Sequence, residues 1–240
     1  VTGPYPPHLP GPWKLAFDST FDTTDELDTT QWSTGWYGGA APVNPSEQQF
    51  YSPEQVSVGG GELRLTLEAE PTTVDGTTKP YVSGMVTTLG KYQFTYGYVE
   101  ARILLPATPA GLIANWPAFW LDGQPPWPTN GEIDVLEGLG GYPSAHFHYQ
   151  SSEGEQGPGF TSETAGWAGE WHAYAANWQP GVVTFYYDGA EVWQQAEGVT
   201  DDPMFLCANL AIAGDQAADL VVAPATMRIN FVRVWQHPPT

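Results

Sequence analysis

Leu63-Arg64-Leu65-Thr66-Leu67 alternates apolar and polar side chains without a break, the pattern of a half-buried strand. Short apolar-rich or alternating runs recur over Val82 to Leu89, Phe94 to Leu105, Ala118 to Leu121 and Ile133 to Leu136. Others span Val182 to Tyr187, Met204 to Ile212 and Met227 to Trp235. Turn-forming clusters separate them, among them Gly59-Gly60-Gly61, Asp75-Gly76, Pro125-Pro126 and Asp188-Gly189. No segment sustains helical spacing over three turns. The pattern predicts a large antiparallel β-sandwich. Asp188-Gly189, between Val183-Thr184-Phe185-Tyr186-Tyr187 and Glu191-Val192-Trp193, is its clearest hairpin turn.

The first thirteen residues hold five prolines, Pro4, Pro6, Pro7, Pro10 and Pro12, which predicts an extended arm over 1–12. No later shift in composition and no repeat follows, so 13–240 reads as a single domain. A chain of 240 residues buries a sizeable core without disulfides or metals.

Charge then narrows the partners. The chain carries 27 acidic and 7 basic residues, a formal charge of −20. Nucleic acid needs clustered Lys and Arg, and an anionic membrane surface needs the same. Both are excluded as partners, and no stretch approaches the ~18 apolar residues of a spanning helix. Cys207 is the only cysteine and sits among apolar neighbours. It predicts a buried thiol, with no internal disulfide and no cysteine-based zinc site. Eleven tryptophans exceed what packing ordinarily asks for, because each indole N–H wants a partner when buried. Flat C–H faces of sugars stack on such rings, so the composition leans towards carbohydrate.

The chemistry concentrates in Gly131-Glu132-Ile133-Asp134-Val135-Leu136-Glu137-Gly138. Acidic residues are depleted in strands, yet three stand here among Ile, Val and Leu. Alternation puts Glu132 and Asp134 on one face and Ile133 and Val135 on the other. Glu137 has the wrong parity, and one extra residue near Val135-Leu136, taken up as a β-bulge, brings it back to the face of Glu132. The two Glu Cα atoms would then lie roughly 13 Å apart, at ~3.3 Å per step. Side chains reaching inward from both ends approach the ~5–5.5 Å carboxyl separation of a retaining glycosidase. Asp134 between them can hold the proton or charge of one Glu in place. Clustered carboxylates also raise one pKa, which keeps one group protonated as an acid.

Glu132-Ile133-Asp134-Val135-Leu136-Glu137 resembles the bulged signature of glycoside hydrolase family 16, in its laminarinase-like form. Trp116-Pro117-Ala118-Phe119-Trp120-Leu121, Trp127-Pro128 and Gly131 resemble the family's stretch just upstream. Glu47-Gln48-Gln49-Phe50-Tyr51 resembles its early block, with Pro45 falling between Asn44 and the Glu. Ser83-Gly84, Tyr96-Gly97, Glu100-Ala101-Arg102 and Phe231-Val232-Arg233-Val234-Trp235 extend the match from about Trp13 to Gln236.

The resemblance implies a β-jelly roll of two curved antiparallel sheets with a concave glycan-binding cleft. It implies Glu132 as nucleophile, Glu137 as acid/base and Asp134 as the residue orienting the nucleophile. Asn44, Trp116, Trp120, Trp127 and His148 become candidate substrate-binding residues. Trp116 and Trp120 share parity and can be sugar platforms or core. His146 shares the parity of His148 and competes with it. The expected activity is retaining endo-β-1,3-glucan hydrolysis. Mixed-linkage β-1,3-1,4-glucan hydrolysis is the alternative within the class, and a non-catalytic glycan-binding lectin is the alternative outside it. The partner implied is a polysaccharide or oligosaccharide, met by a secreted monomer. Many relatives use early and late acidic residues to hold a structural calcium. Here Ser19-Thr20-Phe21 and Asn230 replace them, so no cofactor and no metal ligand is expected.

Overall fold

The computed structural model describes residues 9–238, so the first eight residues of the expected arm lie outside the described residues. Alternation along Leu63–Leu67 has its expected result: the three leucines are fully buried, and Arg64 and Thr66 are half-buried. Repeated along the chain, this pattern forms two antiparallel sheets of eight strands each. The first sheet runs, strand beside strand, Ala190–Gln195, Val182–Tyr187, Trp171–Gln179, Gly97–Leu104, Ala225–Gln236, Leu63–Leu67 and Val56–Val58. Lys14–Ser19 adds to the long Ala225–Gln236 strand. The second, the cleft sheet, runs Gly154–Gln156, Ser144–Ser151, Glu132–Glu137, Trp116–Gly123, Met204–Ala211, Met85–Thr87 and Ser33–Thr34. Gly159–Thr161 adds to Ser144–Ser151. Among the described residues the helical content is three 3₁₀ turns of three residues each.

The inner faces of the two sheets make the core. Val99, Ala101, Ile103, Val232 and Val234 of the first sheet belong to one cluster with Phe119, Leu121, Ile133, Val135, Leu136 and Phe147 of the second. Each large side chain removed from water contributes about 1.5–3 kcal/mol, which makes this cluster the main force joining the sheets. Cys207 is buried as a free thiol, 3.7 Å from the Thr87 hydroxyl. A smaller cluster of Tyr98, Ala175 and Trp235 lies apart from this core, and Leu9 and Trp13 pack against it.

The Asp188-Gly189 hairpin forms as its sequence predicts. Both residues take left-handed backbone angles (φ +49° and +76°), which matches the twist of the two strands they join. The run from Val82 to Leu89, expected as one strand, is two. Tyr81–Ser83 pairs in parallel with Gln49–Tyr51, and Met85–Thr87 joins the cleft sheet beside Met204–Ala211. Gly84 separates them at a close backbone approach, where an added Cβ would lie 2.5 Å from the Gln55 carbonyl oxygen. An apolar run reports burial on both sides of such a point and not the change of partner.

Trp32 is fully buried, and its indole N–H donates to the Ser19 hydroxyl at 3.0 Å. Ser19→Ala leaves that N–H without its acceptor and should lower unfolding stability by about 1–3 kcal/mol. Ser57→Ala, on an exposed position, should change it by less than about 0.5 kcal/mol. Urea unfolding of both variants is the check.

Candidate active site

Glu132–Glu137 lies inside the cleft sheet, with Trp116–Gly123 on one side and Ser144–Ser151 on the other. Against the first neighbour the register runs Asp122 to Glu132, Leu121 to Ile133 and Trp120 to Asp134. It then resumes at Phe119 to Leu136 and Ala118 to Glu137. Val135 is the extra residue, and the second neighbour shows the same slip between Asp134 and Glu137. The bulge stands where the spacing of the carboxylates requires it. Ile133, Val135 and Leu136 are fully buried in the core, and Glu132, Asp134 and Glu137 line an open cleft of about 350 Å³ on the opposite face.

Glu132 and Glu137 each have their own donors. The Trp127 indole donates to Glu132 Oε2 at 2.6 Å. The Trp116 indole donates to Glu137 Oε1 at 2.9 Å, and His146 Nδ1 bonds the other oxygen of Glu137 at 2.6 Å. Asp134 and Glu132 share a side-chain hydrogen bond. His148 Nε2 lies 3.3 Å from Asp134 Oδ2. Burial, and then the charge of Asp134, raises Glu132 above the ordinary carboxylate range. Burial, and then the charge of Glu137, does the same to Asp134. Among the described residues no Lys or Arg lines the cleft.

The candidate residues are used differently. Trp116 is half-buried on the cleft wall, and Trp127 is an exposed ring, 48% accessible, over Glu132. Trp120 shares the parity of Trp116 but is buried at the cleft floor, packed with Tyr51, Met85, Ala118, Phe205 and Cys207. Its indole donates to Asn209 Oδ1 at 2.7 Å, and Asn209 in turn donates to the Tyr51 hydroxyl at 3.0 Å. Asn44 borders the cleft through a turn in which its backbone N–H donates to Glu47 Oε1 at 2.9 Å. Glu47 is buried, and it also accepts from Gln49 Nε2 at 2.5 Å and from the Tyr51 hydroxyl at 3.3 Å. The two histidines divide the trio between them, His146 on Glu137 and His148 on Asp134.

The cleft also holds residues that the motif reading passed over. Trp36 and Tyr37 come from a loop. Asp122 follows Trp116 and Trp120 at the same parity on one strand, a signal present in the sequence. Asp134 brings ligand-type atoms within 4.8 Å of Glu132 and His148, and likewise of Glu137 and His146. In the second group His146 and Glu137 are already in direct hydrogen-bond contact.

A concave antiparallel sheet with indole walls and a floor of three carboxyl groups defines a carbohydrate-active β-jelly roll. The chain belongs to glycosyl hydrolases family 16, whose model matches residues 44–231. It is 30% identical to the endo-1,3-1,4-beta-glycanase EglC of Rhizobium meliloti, over 93% of this chain and 46% of that protein. It is 29% identical to a beta-glucanase of Rhodothermus marinus, over 93% and 85%. The chain therefore spans about half the length of the first relative and most of the second. The catalytic domain of the Thermotoga petrophila endo-1,3-beta-glucanase (laminarinase) superposes with a TM-score of 0.81, at 27% identity over 95% of this chain and 99% of that domain.

Asp122 is the most readily tested member of the buried acids. Burial, then the charge of Glu132, raises it from the ordinary 3.8 to about 8. Between those values the folded chain keeps a proton that the unfolded chain releases. Stability therefore falls as pH rises, by up to about 1.4 kcal/mol per pH unit for one such group. Asp122→Asn removes this term. Urea unfolding of wild type and Asp122→Asn from pH 5 to pH 9 should show the variant gaining on the wild type as pH rises. A constant difference would refute the assignment.

Proposed function

We propose that the chain hydrolyses β-1,3-glucan internally, with retention, through Glu132 as nucleophile and Glu137 as acid/base. The observation that carries this reading is the set of three carboxyl groups on one face of a bulged strand, lining an open cleft of about 350 Å³. A Glu132 oxygen attacks the anomeric carbon, and the glycosidic C–O bond breaks as the Glu137 proton passes to the departing oxygen. Glu137, now a carboxylate, takes a proton from water. The water oxygen attacks the same carbon and releases Glu132. Asp134, bonded to Glu132, orients it. The direction of the two roles follows the family resemblance; each Glu accepts from an indole N–H, Glu132 from Trp127 and Glu137 from Trp116, and Glu137 also bonds His146.

The laminarinase likeness supports the β-1,3 linkage. The name of the Rhizobium relative supports mixed β-1,3-1,4-glucan as the second reading. A cleft without Lys or Arg favours neutral glucans over sulfated ones. A polymer of this kind is met outside the cell, so the proposal includes secretion and action as a monomer.

Laminarin cleavage with release of internal fragments of retained configuration is the primary test, and inversion would overturn the mechanism. On an activated aryl β-glucoside, Glu132→Ala should lose the first displacement, and added azide should give the inverted glycosyl azide. Glu137→Ala should still be glycosylated and then stall, and azide should give the retained product. The anomeric configuration of each adduct, read by NMR, decides the roles, and a swapped pattern reverses them.

The structural calcium of many relatives is not part of this proposal. Asn230 Nδ2 donates to the Gly61 carbonyl at 3.0 Å, and the Thr20 hydroxyl donates to Asp22 Oδ1 at 2.5 Å. Such N–H and O–H donors do not suit a cation that needs oxygen lone pairs. A chelator should leave the thermal unfolding midpoint unchanged, and a marked drop would show that other oxygens bind the ion.

A further inference from the structure

Two acidic side chains lining the cleft, Glu47 and Asp122, are not used by the double displacement, and Glu47 already accepts from the Asn44 backbone amide, Gln49 and Tyr51. Asp122 is directly opposite Glu132 in the ladder and follows Trp116, Ala118 and Trp120 along the cleft face of its strand. Only 5% of it is accessible, and its Oδ1 has no hydrogen-bond partner. A carboxyl serving structure alone would use its oxygens on N–H donors, and leaving one unmet costs about 1–3 kcal/mol.

The surroundings decide its charge. Glu132 faces it from the paired strand. Phe205 pairs with it on the other side, and the buried Cys207 thiol lies on that same strand. Tyr37 approaches from the loop, with a hydroxyl raised by burial and then by Asp122. Asp134 also lies within range of its charge. The Gly123 amide is the one group that favours the anion, and burial with the charge of Glu132 outweighs it. Among the described residues no Lys or Arg lines this wall. A buried carboxyl so placed keeps its proton, as an acid in an apolar enzyme site does when it serves as a hydrogen-bond donor.

We propose that Asp122 is a neutral carboxylic acid that binds substrate, donating its proton in a hydrogen bond to a hydroxyl of the glucosyl unit lying across Glu132. Among the described residues its Oδ1 has no partner, and Asp122 lines the cleft where a bound sugar would lie. The contact is a specificity determinant for uncharged glycans: ionised, Asp122 loses its donor and sets a second negative charge beside Glu132. Both changes weaken binding, and an anionic sugar suffers most. The inference rests on reading the cleft as a β-glucan site.

The test is laminarihexaose affinity by calorimetry between pH 6 and pH 9, in a Glu137→Gln background that prevents turnover. With Asp122 present, the Kd should rise about 3- to 10-fold across that range, the worth of one neutral hydrogen bond. Asp122→Asn keeps an N–H donor and cannot ionise, so its Kd should match the parent at pH 6 and stay flat. Asp122→Ala should bind about 3- to 10-fold more weakly at pH 6, also without pH dependence. An Asp122→Ala protein that binds like the parent overturns the proposal, as does an Asp122→Asn protein that keeps the pH dependence. Infrared difference spectra of the unliganded protein against Asp122→Asn separate this from the β-glucan reading. A protonated carboxyl band lost in the variant supports the neutral acid, and absence of that band at pH 6 overturns it whatever the substrate. Failure of wild type to cleave or bind any β-glucan, with the band present, brings down the β-glucan reading alone.

Discussion

The bulge at Val135 is the constraint on which both faces of the cleft sheet depend. A regular strand would turn Glu137 into the core or carry Leu136 into the cleft. One unpaired residue lets Glu132, Asp134 and Glu137 share the cleft while Ile133, Val135 and Leu136 all stay buried. Three large apolar side chains beneath the carboxylates, each contributing about 1.5–3 kcal/mol, anchor a strand whose upper face carries mutually repelling groups. The packing of the core thus holds the acids together against their own electrostatics.

Among the described residues those electrostatics are managed without Lys or Arg in the cleft. Two indole N–H groups and two imidazoles contact the carboxyl oxygens, and burial raises Asp122, Glu132 and Asp134 above the ordinary carboxylate range. A Lys or Arg in the cleft would lower them again by stabilising the anions. The scarcity of basic residues, 7 against 27 acidic, therefore matters at the site as well as at the surface.

The abundance of tryptophan resolves into two uses. Trp32, Trp178 and Trp235 are large buried side chains, the first two in the main core, where they donate to Ser19 and to the Thr200 carbonyl. Trp36, Trp116, Trp120 and Trp127 gather at the cleft. Three of these spend their indole N–H on a protein partner. Their ring faces and their donors thus serve different tasks, which a count of tryptophans does not distinguish.

Alternation, turn chemistry and the spacing of three acids are local properties, so the sequence alone determined the all-β class, the Asp188-Gly189 hairpin and the need for a bulge between Asp134 and Glu137. Parity also placed Trp116, Trp120 and Asp122 on one face. Depth and partnership come from chain segments far away. Asn209 and Tyr51 tie Trp120 to the cleft floor, while Trp116 of equal parity bonds Glu137. The register of Ser144–Ser151 sets His146 opposite Asp134 and His148 opposite Glu132, and their imidazoles reach diagonally to Glu137 and Asp134. The close approach of Gln55 divided one apolar run at Gly84. Only the tertiary structure decided these, because a side chain's face follows from its own strand, whereas what it meets there depends on how distant strands pack around it.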